Sequence, residues 1–389
     1  MIQYNFPTII YFGTDALSSL GQQLAVKQHQ RLLIVTDAGL VSIGLIEQIQ
    51  QQIQSFDLET VVFDGVHPNP TEADVEAGVD FYQNGGFDGL IGIGGGSAID
   101  VAKTIRLMAV HPAPLSQYEE AKGGTDLICN PLPPCYAIPT TAGTGSEVGR
   151  SSVITLTGSQ QKSIFFHPTL IPDIAVLDPT LTTSLPAHLT AATGADAFSH
   201  SFETYLVRLQ HPMADGIALE GMKMVAQYLP TAVAQGTDLE ARGQMLLAAT
   251  MGATAFQKGL GVIHSMAHPL STLFDMHHGL ANALLLVEGT SFTLERTVET
   301  DDTLLLAKLQ TVADIFSPQT PVEVTELPQL ITDFLRQIGI QSGLYHHGIS
   351  SESIPALTRL AYQDPCHQNH PFPVTEPEIE AIYHRALGK

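Results

Sequence analysis

The sequence predicts an α/β domain with a parallel sheet over residues 1–185, followed by an all-helical domain over residues 186–389. Three observations lead there. At 389 residues the chain exceeds what one ordinary core accommodates, so two domains are the default. In the first half, short apolar runs alternate with helix-length segments, the pattern of a parallel sheet with helices on its faces. After about residue 185 an Ala- and Leu-rich texture of 3.6-residue periodicity takes over.

The elements follow in order. Residues 31–36 (Arg-Leu-Leu-Ile-Val-Thr) and 59–63 (Glu-Thr-Val-Val-Phe) are short apolar runs expected to form buried strands. A helix is expected over 71–84, opened by Pro70-Thr71 and closed by Asn84-Gly85-Gly86. Residues 89–93 form a third strand running into Gly94-Gly95-Gly96-Ser97, and 98–108 form a helix. Further strands are expected at 135–139 and 174–177. In the helical half, breaks are expected near Leu229-Pro230, Gly259 to Gly261, Gly279, Ser317-Pro318 and 365–373. No repeat of fixed period and no low-complexity linker is visible, so the boundary near 180–186 reads as a tight joint.

Composition excludes several functions. Hydrophobic content of 44% with 14% charged residues fits a globular chain. A formal net charge of -22 with only 17 Lys+Arg argues against nucleic acid, which needs a basic face, and against an anionic membrane surface. Three cysteines (Cys129, Cys135, Cys366) make no disulfide framework, which suits a reducing cytoplasm. Residues 1–8 lack a signal-peptide pattern, and no stretch reaches bilayer-spanning length.

The helical half carries a metal-ligand pattern. Asp196 and His200 are i and i+4, and so are His264 and His268, so each pair shares a helix face. His278 stands before Gly279. One carboxylate with three imidazoles suits a borderline divalent cation, Fe²⁺ or Zn²⁺, and leaves room for an exogenous oxygen ligand. The same spacing also suits helix-surface pairs or buried, capped histidines.

The first half carries two glycine-rich loops. Gly94-Gly95-Gly96-Ser97 joins a strand to a helix, where free N–H groups and the positive end of the helix dipole suit a pyrophosphate. It is not the G-x-G-x-x-G fingerprint. Residues 139–147 (Pro-Thr-Thr-Ala-Gly-Thr-Gly-Ser-Glu) follow another strand and are dense in hydroxyls. Two such loops at the carboxyl ends of parallel strands mark the ligand crevice of an open α/β sheet. Asp37, after the strand 31–36, is either a helix N-cap or an acceptor for an adenosine ribose; in the second role it disfavours a 2′-phosphate, hence NAD over NADP.

In combination these segments are specific, and the chain resembles the iron-containing (group III) alcohol dehydrogenases over nearly its whole length. The carrying motifs are T-D-A-G at 36–39, N-P-T at 69–71, G-G-G-S-A-I-D at 94–100, P-T-T-A-G-T-G-S-E-V at 139–148 and A-A-T-G-A-D-A-F-S-H-S-F-E at 191–203. G-L-G-V-I-H-S-M-A-H-P-L at 259–270, H-H-G-L-A-N-A at 277–283 and D-P-C-H-Q-N-H-P at 364–371 complete them. The resemblance implies a dinucleotide-binding domain and a helical metal-binding domain (the dehydroquinate synthase-like fold), with the active site between them. It implies Asp196, His200, His264 and His278 as metal ligands and His268 beside the nicotinamide. Gly95, Gly96, Ser97 and Asp100 match the pyrophosphate loop; Thr140, Thr141 and Ser146 match the second loop. Lys162 is expected along the same nucleotide, and Asp37 matches the position that disfavours NADP.

The implied activity is NAD(H)-linked oxidation of a small primary alcohol, diol or hydroxy acid, or reduction of the aldehyde, with the metal polarising the substrate oxygen. His268 is expected either to relay the proton or to pack beside the ligands. Lys258 and Arg150 stand out in so basic-poor a chain and suit either an anionic substrate or structural ion pairs. A homodimer or larger assembly is expected from family habit. The alternatives are a dehydroquinate synthase-like enzyme, a maleylacetate reductase, which lacks this histidine set, and a non-catalytic nucleotide-binding protein.

Overall fold

The computed structural model describes residues 4–6, 8–157 and 162–388. The chain divides into two compact units, Asn5–Ser184 and Leu185–Lys389, with Tyr4 joining the second. In the first unit the strands are β1 (Ile9–Phe12), β2 (Arg31–Val35), β3 (Glu59–Phe63), β4 (Gly89–Gly94), β5 (Cys135–Pro139), β6 (Ser151–Thr155), β7 (Lys162–Phe166) and β8 (Ile174–Leu177). Its helices are α1 (Ala16–Val26), α2 (Ala38–Ser42), α3 (Leu45–Gln54), α4 (Glu72–Gly85) and α5 (Gly96–Met108).

Six strands form a parallel sheet in the order β1-β8-β5-β4-β2-β3. The register sets Leu33 opposite Leu90 and Ile91 opposite Tyr136. Side chains alternate across a strand, so β2 feeds two cores. Leu33 and Val35 pack with Leu90, Val101 and Ile105 on one face. Leu32 and Ile34 pack with Leu20, Ile49 and Ile93 on the other. Burial on both faces is why β2 is an unbroken apolar run. Each such Leu or Ile contributes about 1.5–3 kcal/mol by leaving water.

The expected helix over 71–84 is α4. The Thr71 N–H donates to Asp74 Oδ2 at 3.0 Å, and Gly86 closes the helix in the left-handed region at φ 66. Two features were not expected from the sequence. β1 is a four-residue edge strand with Ile9 and Phe12 exposed. β6 and β7 form a separate antiparallel ribbon.

The second unit is helical: α6 (Ala187–Leu206), α7 (Pro212–Ala234), α8 (Leu239–Ala255), α9 (Val262–Phe274), α10 (His278–Glu299), α11 (Thr303–Phe316), α12 (Leu327–Gln337), α13 (Ile354–Gln363) and α14 (Glu376–Ala386). α6 is buried along nearly its whole length, because Ala, Gly and Ser let α7, α8 and α10 approach closely. Gly194 on α6 faces Leu229, whose side chain would lie 2.3 Å from an added Cβ.

One expected break differs from the structure. α7 runs through Pro230 to Ala234. Proline removes one backbone donor, and here the helix needs only one further turn while Leu229 stays fully buried. The expected break near Gly279 falls at residues 275–277, between α9 and α10, and Gly279 itself lies in the first turn of α10. A Cβ there would sit 2.2 Å from the Ala192 carbonyl oxygen, so glycine is required by close approach to α6. No single helix among the described residues is long and apolar enough to cross a membrane.

Candidate active site

Asp196, His200, His264 and His278 converge within the helical unit. Asp196 and His200 lie one turn apart on α6, His264 in the first turn of α9, and His278 opens α10. Their ligand atoms all lie within 4.8 Å of one another. Asp196 Oδ1 is 3.8 Å from His200 Nε2, 3.8 Å from His264 Nε2 and 3.7 Å from His278 Nε2. Donors placed tetrahedrally about 2.1 Å from an ion lie about 3.4 Å apart, so the set fits one divalent cation with a small contraction. Gly279 makes the convergence possible, since its missing Cβ would also meet Asp196 Cβ at 3.1 Å.

Glu203, one turn beyond His200 on α6, holds the set. Its carboxylate takes His264 Nδ1 at 2.6 Å and the N–H groups of Ile263 at 2.7 Å and His264 at 3.2 Å. α9 has no side-chain cap of its own, so Glu203 supplies the cap from another helix. Burial alone would raise the Glu203 carboxyl, but His264 and these N–H groups hold it below its ordinary value. Burial alone would lower His264, and Glu203 raises it. Donation from Nδ1 leaves Nε2 as the atom that could take a metal. Asn282, one turn after His278, donates to Asp196 Oδ1 at 2.7 Å and lies 3.2 Å from Nε2 of both His264 and His278.

His268 stacks on His278, with centroids 5.2 Å apart and planes 14° apart. Its Nδ1 lies 2.6 Å from Asp364 Oδ2. His268, Asp364 and Cys366 form a second tight group of potential ligands. The Asp364 oxygens already accept from His268, Ser265 and the Cys366 N–H, which makes the group a hydrogen-bonded network.

In the first unit the two loops join into one surface. Gly94, at φ 145, ends β4 and must be glycine. The Thr140 N–H donates to the Gly94 carbonyl at 2.9 Å. A Cβ on Gly96 would lie 2.7 Å from Thr144, so Gly96 is fixed by packing between the loops. Gly95 is different. It is the N-cap of α5 in an extended conformation without a side-chain cap, and a Cβ there would meet only Thr141, at 3.5 Å. The protein itself does not require glycine at 95; a ligand seated on the α5 N-terminus would. That cradle fits a pyrophosphate.

Asp100 and Ser146 sit under this surface. Ser146 Oγ donates to Asp100 Oδ1, the Val153 N–H donates to Asp100 Oδ2 at 3.0 Å, and buried Lys103 donates to Ser146 Oγ at 2.8 Å and the Ser151 carbonyl at 2.9 Å. Burial pushes Asp100 up and Lys103 down from their ordinary values, each opposed by the other's charge. Ser97 Oγ donates to the Pro68 carbonyl at 2.6 Å. Asp37 is an N-cap, taking the Leu40 N–H at 3.0 Å on Oδ1, while Oδ2 would lie 3.6 Å from a Cβ on Gly94. It thus caps α2 and also borders the glycine loop. Lys162 opens β7 opposite Thr155.

Of the two conspicuous cations, Lys258 is buried and its ammonium is bonded to Asp215, which Lys308 also approaches at 3.3 Å. Arg150 lies over the Phe166 ring at 5.1 Å. Glu203, Asn282, Lys103 and Asp364 were not expected from the sequence. The first two carried a usable signal, standing i+3 from His200 and i+4 from His278 on ligand-bearing faces.

A parallel sheet with a glycine-lined helix N-terminus, and a helical unit with an Asp/His cluster, define the class of metal- and dinucleotide-dependent enzymes. Comparison with known proteins agrees. The model of the iron-containing alcohol dehydrogenases matches residues 7–179, and that of the C-terminal part of the Fe-containing alcohol dehydrogenase family matches residues 190–387. The chain is 37% identical to 4-hydroxybutyrate dehydrogenase of Cupriavidus necator, covering 94% of each. It is 33% identical to NAD-dependent methanol dehydrogenase of Bacillus methanolicus, covering 100% of each. A solved structure of 1,3-propanediol oxidoreductase superposes with a TM-score of 0.92 at 33% identity, covering 99% of this chain and 100% of that one. The chain belongs to the iron-containing alcohol dehydrogenase family. It is an oxidoreductase acting on the CH-OH group of donors, and its family's cofactors are iron and NAD.

Proposed function

We propose that this enzyme interconverts a small primary alcohol or diol with its aldehyde, using NAD(H) and one divalent metal, Fe²⁺ before Zn²⁺. The supporting observation is the convergence of Asp196, His200, His264 and His278 in a set that Glu203 and Asn282 hold in place. When bound, the metal supplies Lewis-acid polarisation of the substrate oxygen and the nicotinamide gives or takes the hydride. The chain's residues do the rest. His268 relays the substrate proton. Gly95, Gly96, Ser97, Thr140 and Thr141 hold the dinucleotide, Asp100 and Ser146 brace their loops, and Lys162 lies along the nucleotide. Asp37 disfavours a 2′-phosphate. The division of labour follows residues 1–185 for the dinucleotide and 186–389 for the metal.

The three relatives named above act, by their names, on compounds that carry a primary alcohol. Lys258 is committed to Asp215, which favours neutral alcohols and diols over hydroxy acids. A cytoplasmic location and a homo-oligomer complete the proposal. A sequence with only three cysteines supports the first, and the exposed apolar edge strand β1 supports the second.

The test is a panel of alcohols, diols, ω-hydroxy acids and their aldehydes with NAD(H) and NADP(H). The highest kcat/KM is expected for neutral primary alcohols with NAD(H). Preference for an ω-hydroxy acid would overturn the neutral-substrate reading. Absence of net NADH consumption with every aldehyde would favour a dehydroquinate synthase-like reaction.

A further inference from the structure

We propose that Asp364 is the positioning residue of His268, fixing it as the Nδ1–H tautomer and turning Nε2 toward the substrate proton. The inference rests on the reading of His268 as the proton relay.

Every hydrogen-bonding feature of Asp364 points to a fixed, ionised carboxylate. Oδ2 accepts from His268 Nδ1 at 2.6 Å. Oδ1 accepts from Ser265 Oγ at 2.9 Å and from the Cys366 N–H at 2.9 Å. Ser265 is fully buried one residue after His264, and its Oγ takes the His367 N–H at 2.7 Å. The segment after α13 is thereby bolted to α9 through one carboxylate. Burial would raise the Asp364 carboxyl, but the adjacent His268 and these donors hold it well below the usual carboxylate range.

An ionised carboxylate only accepts, so the hydrogen of the 2.6 Å contact belongs to Nδ1. In a neutral ring Nε2 then carries the lone pair. The ring has little freedom left. One face stacks on His278, and its plane stands 70° from that of His264. With Nδ1 occupied, the polar atom open to a partner on this 20%-exposed side chain is Nε2. In alcohol oxidation the O–H proton passes to Nε2, directly or through one water, the C–H electron pair leaves with its hydrogen as hydride to NAD⁺, and the C=O bond forms. Asp364 itself exchanges no proton. It sets which nitrogen receives one, as the carboxylate does for histidine in other acid–base pairs.

The test uses metal-loaded enzyme carrying Asp364→Asn, Asp364→Ala, His268→Ala or the double change His268→Ala with Asp364→Ala. Asn keeps an oxygen for Nδ1–H; Ala frees the ring. The expected result is a 10- to 100-fold loss of kcat in Asp364→Ala, a smaller loss in Asp364→Asn, and unchanged KM for NAD and metal content. In the His268→Ala background, Asp364→Ala should add no further loss. Nitrogen NMR of ¹⁵N-histidine-labelled protein should show Nδ1–H at His268 in the wild type and in Asp364→Asn, and a tautomer mixture in Asp364→Ala. Normal kcat in Asp364→Ala, or an equal loss without His268, would overturn the proposal. Should the Ala variant fail to fold, an Nε2–H ring in the wild-type spectrum overturns it equally. Normal turnover in His268→Ala would instead overturn the relay reading, which separates the two failures.

Discussion

The two sites are built from opposite materials. In the Asn5–Ser184 unit the proposed nucleotide surface is backbone: a helix N-terminus without a side-chain cap, glycines, and a loop pressed against them. In the Leu185–Lys389 unit the proposed metal site is side chain: one carboxylate and three imidazoles from three helices, braced by Glu203 and Asn282. A backbone site tolerates change in side chains but not the addition of a Cβ. A side-chain site tolerates nothing at its ligands and fails gradually through its braces.

Substitutions can break this contrast, and the largest effect is expected at a ligand. His264→Ala should lose metal and about a thousandfold in turnover together, since the Lewis acid contributes several kcal/mol; metal analysis beside steady-state assays checks it. Intact metal with near-normal turnover would refute the ligand assignment.

The next effect follows from burying histidines in the helical unit. Burial lowers His370 from its ordinary value of 6.5 to about 4. The unfolded chain binds this proton more readily, so stability falls as pH drops from about 6.5 to about 4 and levels off below. At about 1.4 kcal/mol per pKa unit the loss reaches about 3 kcal/mol. Urea unfolding across this range should show a flatter acid limb in His370→Leu; an identical limb would contradict the assignment.

The brace comes next. Glu203→Gln should weaken metal affinity 10- to 100-fold while the metal-saturated enzyme keeps most of its turnover. Chelator competition measures the first and assays in excess metal the second. Gly95→Ala probes the backbone site, with an expected rise of about tenfold in KM for NAD, roughly 1.4 kcal/mol, and no change in Tm. A fall in Tm instead would show that packing, not the ligand, requires this glycine. The smallest effect is expected from Asp37→Ser, a relaxation of NAD-over-NADP preference of about fivefold, near the value of one exposed charge pair.

The contrast also explains what could be read from the sequence. β2 and β4 are legible because burial on both faces leaves no polar interruption. The glycine loop is legible because Gly94 must take a positive φ. The Asp/His cluster is legible because Asp196 and His200 share a helix face. β1 is not legible, being four half-exposed residues at a sheet edge. Pro230 misleads because local propensity yields to the packing of Leu229. Gly279 rightly marks the break before α10, but its glycine also serves close approach to Ala192, a contact 87 positions away in the chain (279 minus 192) that no local pattern encodes. The braces are hidden for the same reason. Glu203 meets His264 across 61 residues and Asp364 meets His268 across 96, separations at which pairing depends on the assembled helices. Lys258 shows the converse, a conspicuous cation whose partner Asp215 becomes visible only on folding.

The most direct measurement is NADH-dependent aldehyde reduction by anaerobically purified enzyme before chelation, after chelation and after return of Fe²⁺, with metal counted at each stage. One metal per chain, activity lost in step with metal, and recovery on return of Fe²⁺ are predicted for the wild type, with no recovery in His264→Ala. Full activity in a verified metal-free sample would contradict the assignment of Asp196, His200, His264 and His278 as the centre of the reaction.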